Sequence, residues 1–161
     1  MKGEINFMNK QNLSIIFEKV KNACVLDKGI YRNTTDENPL EIAIVMRSID
    51  ARFVLVNAHL DLEDEKSIIL ENLYDIEGCL FSFQFKKNLP ATYNSITSIY
   101  PNANWGESEC FEMFGIDFTD NKNAKNGLLL TSQKELKMPL LKQETEKILI
   151  RKNKFQEDKI V

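Results

Sequence analysis

Residues 66–87, "KSIILENLYDIEGCLFSFQFKK", decide the fold, because they predict two neighbouring β-strands joined by a turn at Gly78. Apolar and polar residues alternate in the second strand, so three aromatic side chains share one face: Phe81, Phe83 and Phe85. A strand-like stretch at 52–61, "RFVLVNAHLD", precedes them and leads into the turn "LEDE". Together the three stretches predict an antiparallel meander.

Helical patterns flank this meander. Residues 9–24 place apolar side chains at helical spacing, and a second helix is predicted to begin at Pro39 with Asn38 as its cap. Leu40, Ile44 and Val45 are predicted to form the inner face of this second helix, although the run of β-branched residues also allows a strand. A third helix follows the strands. This order predicts an α+β fold, with an antiparallel sheet of about three to four strands and helices packed on one face.

Charge divides the 161-residue chain into two parts. Residues 1–121 hold 19 acidic and 11 basic side chains (net −8), whereas residues 122–161 hold 5 acidic and 10 basic ones (net +5). We therefore predict an α+β domain over 1–121 and a basic, largely extended C-terminal arm over 122–161. The apolar pieces of the arm, Leu128–Leu130 and "MPLL" (138–141), predict that it lies on another surface. The negative domain argues against nucleic acid as a partner.

Composition narrows the chemistry that this chain can perform. The three cysteines are far apart in the sequence and the only histidine is His59, so no zinc site, iron–sulfur cluster or other redox cofactor is expected in this chain by itself. No segment approaches the roughly 20 apolar residues that a membrane-spanning helix needs. The first residues lack the apolar core of a secretory signal, which makes the cytoplasm the default expectation.

The stretch 102–118, "NANWGESECFEMFGIDF", is the least ordinary part of the chain. Asn104 is predicted to cap a helix over about 105–114, and Glu107 is placed to complete a capping box with it. Gly115 supplies a C-terminal stop for this helix. Capping therefore explains the first glutamate of the stretch.

Capping does not explain Glu109 and Glu112. Helical spacing makes these two carboxylates neighbours on the same side as Trp105, and no Lys, Arg or His occurs from 89 to 120. The pair could act as general acid and base, could join Glu107 in an oxygen-ligand metal site, or could form a docking face for a basic partner. A capped surface helix without further function also fits. Any neutralising group must come from elsewhere in this chain or from another chain.

The same stretch resembles the signature of the C-type subunit of respiratory NADH:quinone oxidoreductase, the complex I family. That signature reads approximately A-N-W-x-E-R-E-x-x-D/E-M/L-F-G-I-x-F. The matching positions are Ala103, Asn104, Trp105, Glu107, Glu109, Glu112, Met113, Phe114, Gly115, Ile116 and Phe118. "NSITSIYP" before the motif and "LLL…MPLLK" after it resemble the family more weakly, so the resemblance extends over about 10–142.

This resemblance implies a non-catalytic structural or assembly subunit in the peripheral arm of a membrane-associated energy-converting oxidoreductase. Its implied partners are the large subunit, which carries the quinone site or nickel–iron centre, and the small iron–sulfur subunit. The iron–sulfur clusters and any nickel–iron centre then belong to those chains, and membrane association is indirect, on the cytoplasmic side. The implied partner interface comprises Asn104, Trp105, Glu107, Glu109, Glu112, Phe114, Gly115, Phe118, Pro139 and Lys142.

Three departures from the family pattern refine this expectation. Ser108 replaces the Arg between the two glutamates, "TDNKNAKNG" replaces a G-H-P segment, and Leu141 replaces the Arg of a P-L-R-K ending. The loss of G-H-P, and Glu112 in place of Asp, resemble the homologous subunit of energy-converting membrane-bound [NiFe] hydrogenases more than that of standard complex I. A stand-alone protein-binding adaptor, or a small metal-dependent enzyme using Glu107, Glu109 and Glu112, are the alternatives.

Overall fold

A computed structural model describes residues 14–16, 25–27, 30–35, 37–64, 66–126, 128–130 and 137–141. Its strands are β1 (Val25–Asp27), β2 (Ile30–Thr34), β3 (Arg52–Leu60), β4 (Ser67–Ile76), β5 (Cys79–Asn88), β6 (Thr92–Asn94) and β7 (Asp117–Thr119). Its helices are α1 (Pro39–Ser48) and α2 (Ala103–Phe114), and a 3-10 turn follows at Ala124–Asn126. The predicted α+β class is confirmed.

The main sheet has five strands in the order β1-β2-β5-β4-β3. The predicted antiparallel meander of β3, β4 and β5 is confirmed. Its second turn consists of Glu77 and Gly78, which both have a positive φ, as a type I′ hairpin turn requires. β2 pairs with β5 in parallel, with Asn33 opposite Phe83, so the complete sheet is mixed.

The aromatic stripe of β5 lies at the centre of the core. Phe81, Phe83 and Phe85 are all buried, as their shared face predicts. Tyr74 lies opposite Phe81 on β4, and its ring contacts Phe83 edge-on with centroids 5.9 Å apart. An aromatic pair of this kind contributes about 0.5–1.5 kcal/mol beyond the burial of its apolar area. The meander and its aromatic face therefore form the part of the domain on which the remaining elements pack.

Helix α1 begins where the sequence predicts. The Asn38 side chain accepts a hydrogen bond from the Leu40 N–H at 3.0 Å, and Pro39 is the first helical residue. The predicted inner face is wrong for Ile44, which is 51% exposed, whereas Val45 is partly buried against the core. The buried residues are Pro39, Ile42, Ala43 and Met46. Their spacing of three and four residues forms a single stripe, which the run of β-branched residues obscured.

A second, two-stranded sheet holds both ends of the segment that contains α2. β6 and β7 pair in parallel, with Tyr93 opposite Phe118. Between these strands, α2 packs against β3 through Gly106. A Cβ atom at Gly106 would lie 2.5 Å from the Val56 Cγ1 and 3.0 Å from the Val56 carbonyl oxygen, so only glycine permits this approach. This contact fixes which face of α2 points away from the domain.

Part of the predicted architecture lies outside the described residues. Of the predicted helix over 9–24, residues 14–16 are helical and the others lie outside the described ranges. Residues 131–136 and 142–161 of the predicted arm also lie outside them. Among the residues that are described, no helix is both long and apolar enough to cross a membrane.

Candidate docking site on helix α2

The N-terminal half of α2 places a carboxylate inside the domain. Glu107 is only 1% exposed. Its carboxylate accepts hydrogen bonds from the Ser95 hydroxyl at 2.7 Å, the Ile96 N–H at 2.9 Å and the Asn121 side-chain amide at 2.8 Å. The Asn121 oxygen in turn accepts two backbone N–H groups of the following turn, each at 3.1 Å. Glu107 therefore joins the loop after β6 to the turn after β7.

The environment of Glu107 suits a structural carboxylate. Burial raises its pKa above the ordinary value, and the bonds from Asn121, Ile96 and Ser95 only partly oppose that shift. Its three hydrogen-bond donors are a carboxamide, a peptide N–H and a hydroxyl, and none of these is a base of useful strength. The arrangement holds the carboxylate in place by three hydrogen bonds.

The predicted capping box at the start of α2 is wrong. The helix begins at Ala103, and its N-cap residue, Asn102, makes no side-chain capping bond within the described residues. The N–H groups of Ala103 and Asn104 bond to carbonyls of the preceding turn at 2.9 and 3.2 Å. Because this turn provides acceptors for the N–H groups of Ala103 and Asn104, these two groups need no side-chain cap. Glu107 instead points into the interior.

The C-terminal half of α2 places a second carboxylate against the arm. One oxygen of Glu112 accepts the N–H groups of Leu128 at 3.2 Å and Leu130 at 2.7 Å, and the other accepts that of Leu129 at 2.7 Å. Partial burial would raise the pKa of Glu112, but the three amides together outweigh it and lower the pKa. Successive N–H groups around one anion form a nest. Peptide dipoles of the arm thus take the place of the missing basic side chain.

The arm contacts the same end of α2 a second time. The helix stops at Gly115 as predicted, with φ of 72°. A Cβ atom at Gly115 would lie 2.6 Å from the Met138 sulfur, so the glycine makes room for that side chain. The Leu140 N–H donates to the Met113 carbonyl at 3.2 Å. Both apolar pieces of the arm therefore lie on another surface, as their sequence predicts, and that surface is the end of α2.

The outer face of α2 is open beside these contacts. Trp105 is 70% exposed, and Glu109, one turn further along, is also exposed. Leu129, whose N–H is bound by Glu112, is 59% exposed. We call Trp105, Glu109 and Leu129 the open ridge. Within the part of the chain that the structure describes, Glu109 forms no ion pair, and large apolar side chains beside such a carboxylate are typical of a protein-binding surface.

Most of the other residues predicted for the interface lie away from the open ridge. Four of them pack inside the domain or beneath the arm: Glu107, Phe114, Gly115 and Phe118. Asn104 and Pro139 are half-buried, and Lys142 lies outside the described residues. From the predicted set, Trp105 and Glu109 are the side chains that the structure places on the open ridge.

The three glutamates of the alternative catalytic or metal-binding hypothesis do not converge. Glu107 faces the interior, Glu109 faces solvent and Glu112 faces the arm. In the described ranges, no group of three or more His, Cys, Asp or Glu side chains is arranged to hold a metal ion. The three side chains of this helix therefore do not form one acidic site.

Sequence reasoning missed two residues that position this helix. Ser95 and Asn121 lie 12 and 14 residues from Glu107, and both bind its carboxylate. No local pattern links polar residues across such distances. The one available signal was that Asn121 opens a turn-rich stretch, where an Asn side chain commonly binds nearby backbone.

The chain matches the model of the family described as respiratory-chain NADH dehydrogenase, 30 kDa subunit, over residues 5–147. It is also similar to the C/D subunit of the NADH-quinone oxidoreductase of Buchnera aphidicola subsp. Baizongia pistaciae (strain Bp), with 31% identity over 93 residues. Those residues are 55% of this chain but 15% of that relative, so the chain spans a small part of the relative's length.

A solved structure has a similar fold. It is that of the membrane-bound sulfane sulfur reductase, an archaeal respiratory membrane complex, and one of its chains superposes with a TM-score of 0.64. The superposition covers 81% of this chain and 81% of that one, at 15% sequence identity. At this identity the likeness shows a shared fold.

Proposed function

The chain belongs to the family of the 30 kDa subunit of respiratory-chain NADH dehydrogenase, and on that premise we propose that it is a non-catalytic structural and assembly subunit of a respiratory membrane complex. The observation that carries the proposal is that different parts of α2 make different contacts. Its buried carboxylate, Glu107, joins two loops of the domain, its last turn binds the arm, and the open ridge remains exposed. Such an arrangement builds a rigid surface for another protein.

We infer that this surface docks on the large subunit of the complex, and that the motif and the arm together contact the large subunit and the small iron–sulfur subunit. In this proposal the redox cofactors belong to those partner chains: iron–sulfur clusters and, in a hydrogenase-type complex, a nickel–iron centre. The complex would hold this subunit on the cytoplasmic side of the membrane. Glu112 in place of Asp and the absence of the G-H-P segment favour a complex of the energy-converting hydrogenase type.

Purification of the native complex through a tag on this chain tests the proposal. We expect the chain to co-purify with one large and one small oxidoreductase subunit and with the metals that those subunits carry. Recovery of the chain as a free monomer from gently solubilised membranes and from the soluble fraction would contradict the proposal. Recovery with unrelated proteins would instead support the stand-alone adaptor.

Charge reversal on the open ridge tests the location of the interface. Glu109→Lys should lower the fraction of the chain recovered in the complex by about tenfold, since a like charge facing a basic partner surface disfavours association. The unfolding midpoint in urea should stay the same, because Glu109 is exposed. Glu63→Lys, at an exposed acidic residue of the turn between β3 and β4, is the matched control. Equal recovery of both variants would exclude the ridge as the interface.

A further inference from the structure

We propose that one arginine side chain of the large partner subunit binds on the open ridge. Its guanidinium stacks on the Trp105 indole and pairs with the Glu109 carboxylate. This inference rests on the proposed function and specifies the chemistry of the partner at the same surface. It concerns one class of side chain, and it distinguishes arginine from lysine.

Of the three carboxylates on helix α2 itself, one is left for a partner to neutralise. Glu107 is satisfied inside the domain and Glu112 is satisfied by the arm. Asp117, just after the helix, forms an ion pair with Lys125 at 2.9 Å. Glu109 has no ion pair in the described part of the chain. An exposed carboxylate on a protein-binding face selects a cationic group.

Trp105 lies beside this carboxylate. It precedes Glu109 by four residues on the same helix, and residues at this spacing have Cβ atoms about 5–6 Å apart on one face. Trp105 is 70% exposed, which leaves a face of its indole accessible. Trp is the strongest of the aromatic partners for a cation placed over its ring. One planar cation can therefore contact the ring and the carboxylate together.

The ridge suits arginine better than lysine. A guanidinium is planar, stacks on an aromatic ring and donates two parallel hydrogen bonds to a carboxylate. A lysine ammonium is compact and strongly hydrated, so it stacks on an aromatic ring less favourably than a guanidinium does. Leu129, whose N–H is bound by Glu112 of the same helix, is also exposed, so a partner docked on it would exclude water there. Weak hydration of the guanidinium suits such a site.

Chemical footprinting of the native complex tests this inference. The complex is purified through a tag on this chain, treated with phenylglyoxal, which modifies arginine, and in parallel with acetic anhydride, which modifies lysine, and then mapped by mass spectrometry. The same experiment is done with Glu109→Gln and with Trp105→Ala. Ile44→Ala, which removes a 51% exposed apolar side chain from α1, is the matched control.

We expect one arginine of the partner to react at least about tenfold more slowly in the wild-type complex than in the Glu109→Gln complex. Trp105→Ala should expose the same arginine, Trp105→Phe should expose it less, and the control should leave it protected. If the complex assembles but no arginine changes reactivity, or if a lysine changes instead, the inference is wrong while the proposed function stands. If no partner co-purifies, the proposed function itself fails.

Discussion

Two glutamates of α2, five residues apart, occupy opposite environments. Glu107 is buried and is bound by groups from two loops of the domain, whereas Glu112 lies at the surface and is bound by three successive amides of the arm. Burial raises the pKa of the first, and the amides lower the pKa of the second. One helix thus uses the same residue type at two positions: Glu107 holds the domain together, and Glu112 attaches the arm.

This difference predicts two separate kinds of instability. Loss of the buried carboxylate leaves donors without acceptors in the interior, which affects the whole domain. Loss of the surface carboxylate removes the acceptor of Leu128, Leu129 and Leu130, while the contacts of the arm at Met113 and Gly115 remain, so the domain remains folded. Single substitutions along the helix separate the two cases.

Glu107→Ala should have the largest effect. It leaves the Ser95 hydroxyl, the Ile96 N–H and the Asn121 amide without their acceptor, and each unsatisfied buried donor costs about 1–3 kcal/mol. We expect the free energy of unfolding, measured in urea, to fall by about 3 kcal/mol or more. Glu109→Gln, at an exposed position two residues away, is the control and should change it by less than about 0.5 kcal/mol. Similar values for both variants would disprove the structural role of Glu107.

Gly106→Ala should have the next largest effect. The added methyl meets the Val56 side chain and carbonyl oxygen, and overpacking of this kind costs about 1–3 kcal/mol. The better helix propensity of Ala returns up to about 1 kcal/mol, so we expect a net loss of about 1–2 kcal/mol in urea unfolding. Repeating the change in a Val56→Ala background, which removes the nearest clashing atom, should reduce the loss. An unchanged loss would show that the clash is not with Val56.

Glu112→Gln should affect the arm alone. The variant keeps one oxygen but presents an NH₂ group to an amide donor, and it removes the charge that strengthens these bonds. We expect amide hydrogen exchange at Leu128, Leu129 and Leu130 to accelerate about tenfold, which corresponds to about 1.4 kcal/mol. The urea midpoint should stay the same. A fall in the midpoint would mean that the arm and the domain unfold as one unit.

The two carboxylates should also respond to pH with opposite signs. The lowered pKa of Glu112 adds stability to the arm contact above the unfolded value of about 4.3, and this stability is lost as the pH falls through the folded pKa. The raised pKa of Glu107 means that its contribution declines as the pH rises from about 4.3 through its folded pKa. The protection factor at Leu129, which is the intrinsic exchange rate divided by the observed rate, should therefore fall only in acid, and Glu107→Gln should flatten the pH dependence of domain unfolding. A pH dependence that Glu107→Gln leaves unchanged would contradict this assignment.

Local patterns predicted the centre of the fold. Alternation along β5 identified the buried stripe of Phe81, Phe83 and Phe85, and the positive φ that Gly78 permits fits the hairpin turn. Both signals depend on neighbours within a few residues. The parallel pairing of β2 with β5 joins residues about 50 positions apart, such as Asn33 and Phe83, and no short-range pattern encodes it.

The sequence predicted which segment forms the candidate site, but it did not predict which groups its glutamates contact. The motif around Trp105 indicated the family, and the lack of basic residues near Glu109 and Glu112 predicted that neutralising groups come from elsewhere. The role of Glu107 was misread, because a capping box and a buried hydrogen-bond centre use the same residue types. The groups that bind Glu112 are backbone N–H groups, which every residue except proline carries, so composition could not reveal them.

The two arm contacts have a consequence for the order of events during synthesis. The arm binds to residues that leave the ribosome before it: Glu112, Met113 and Gly115. Within the described chain, the strands that bracket α2 and the partners of Glu107 also precede the arm. The residues of the sheet and of α2 therefore emerge from the ribosome before Leu129 does. The open ridge is finished last, so an assembling partner meets its full surface only on a domain that is already built.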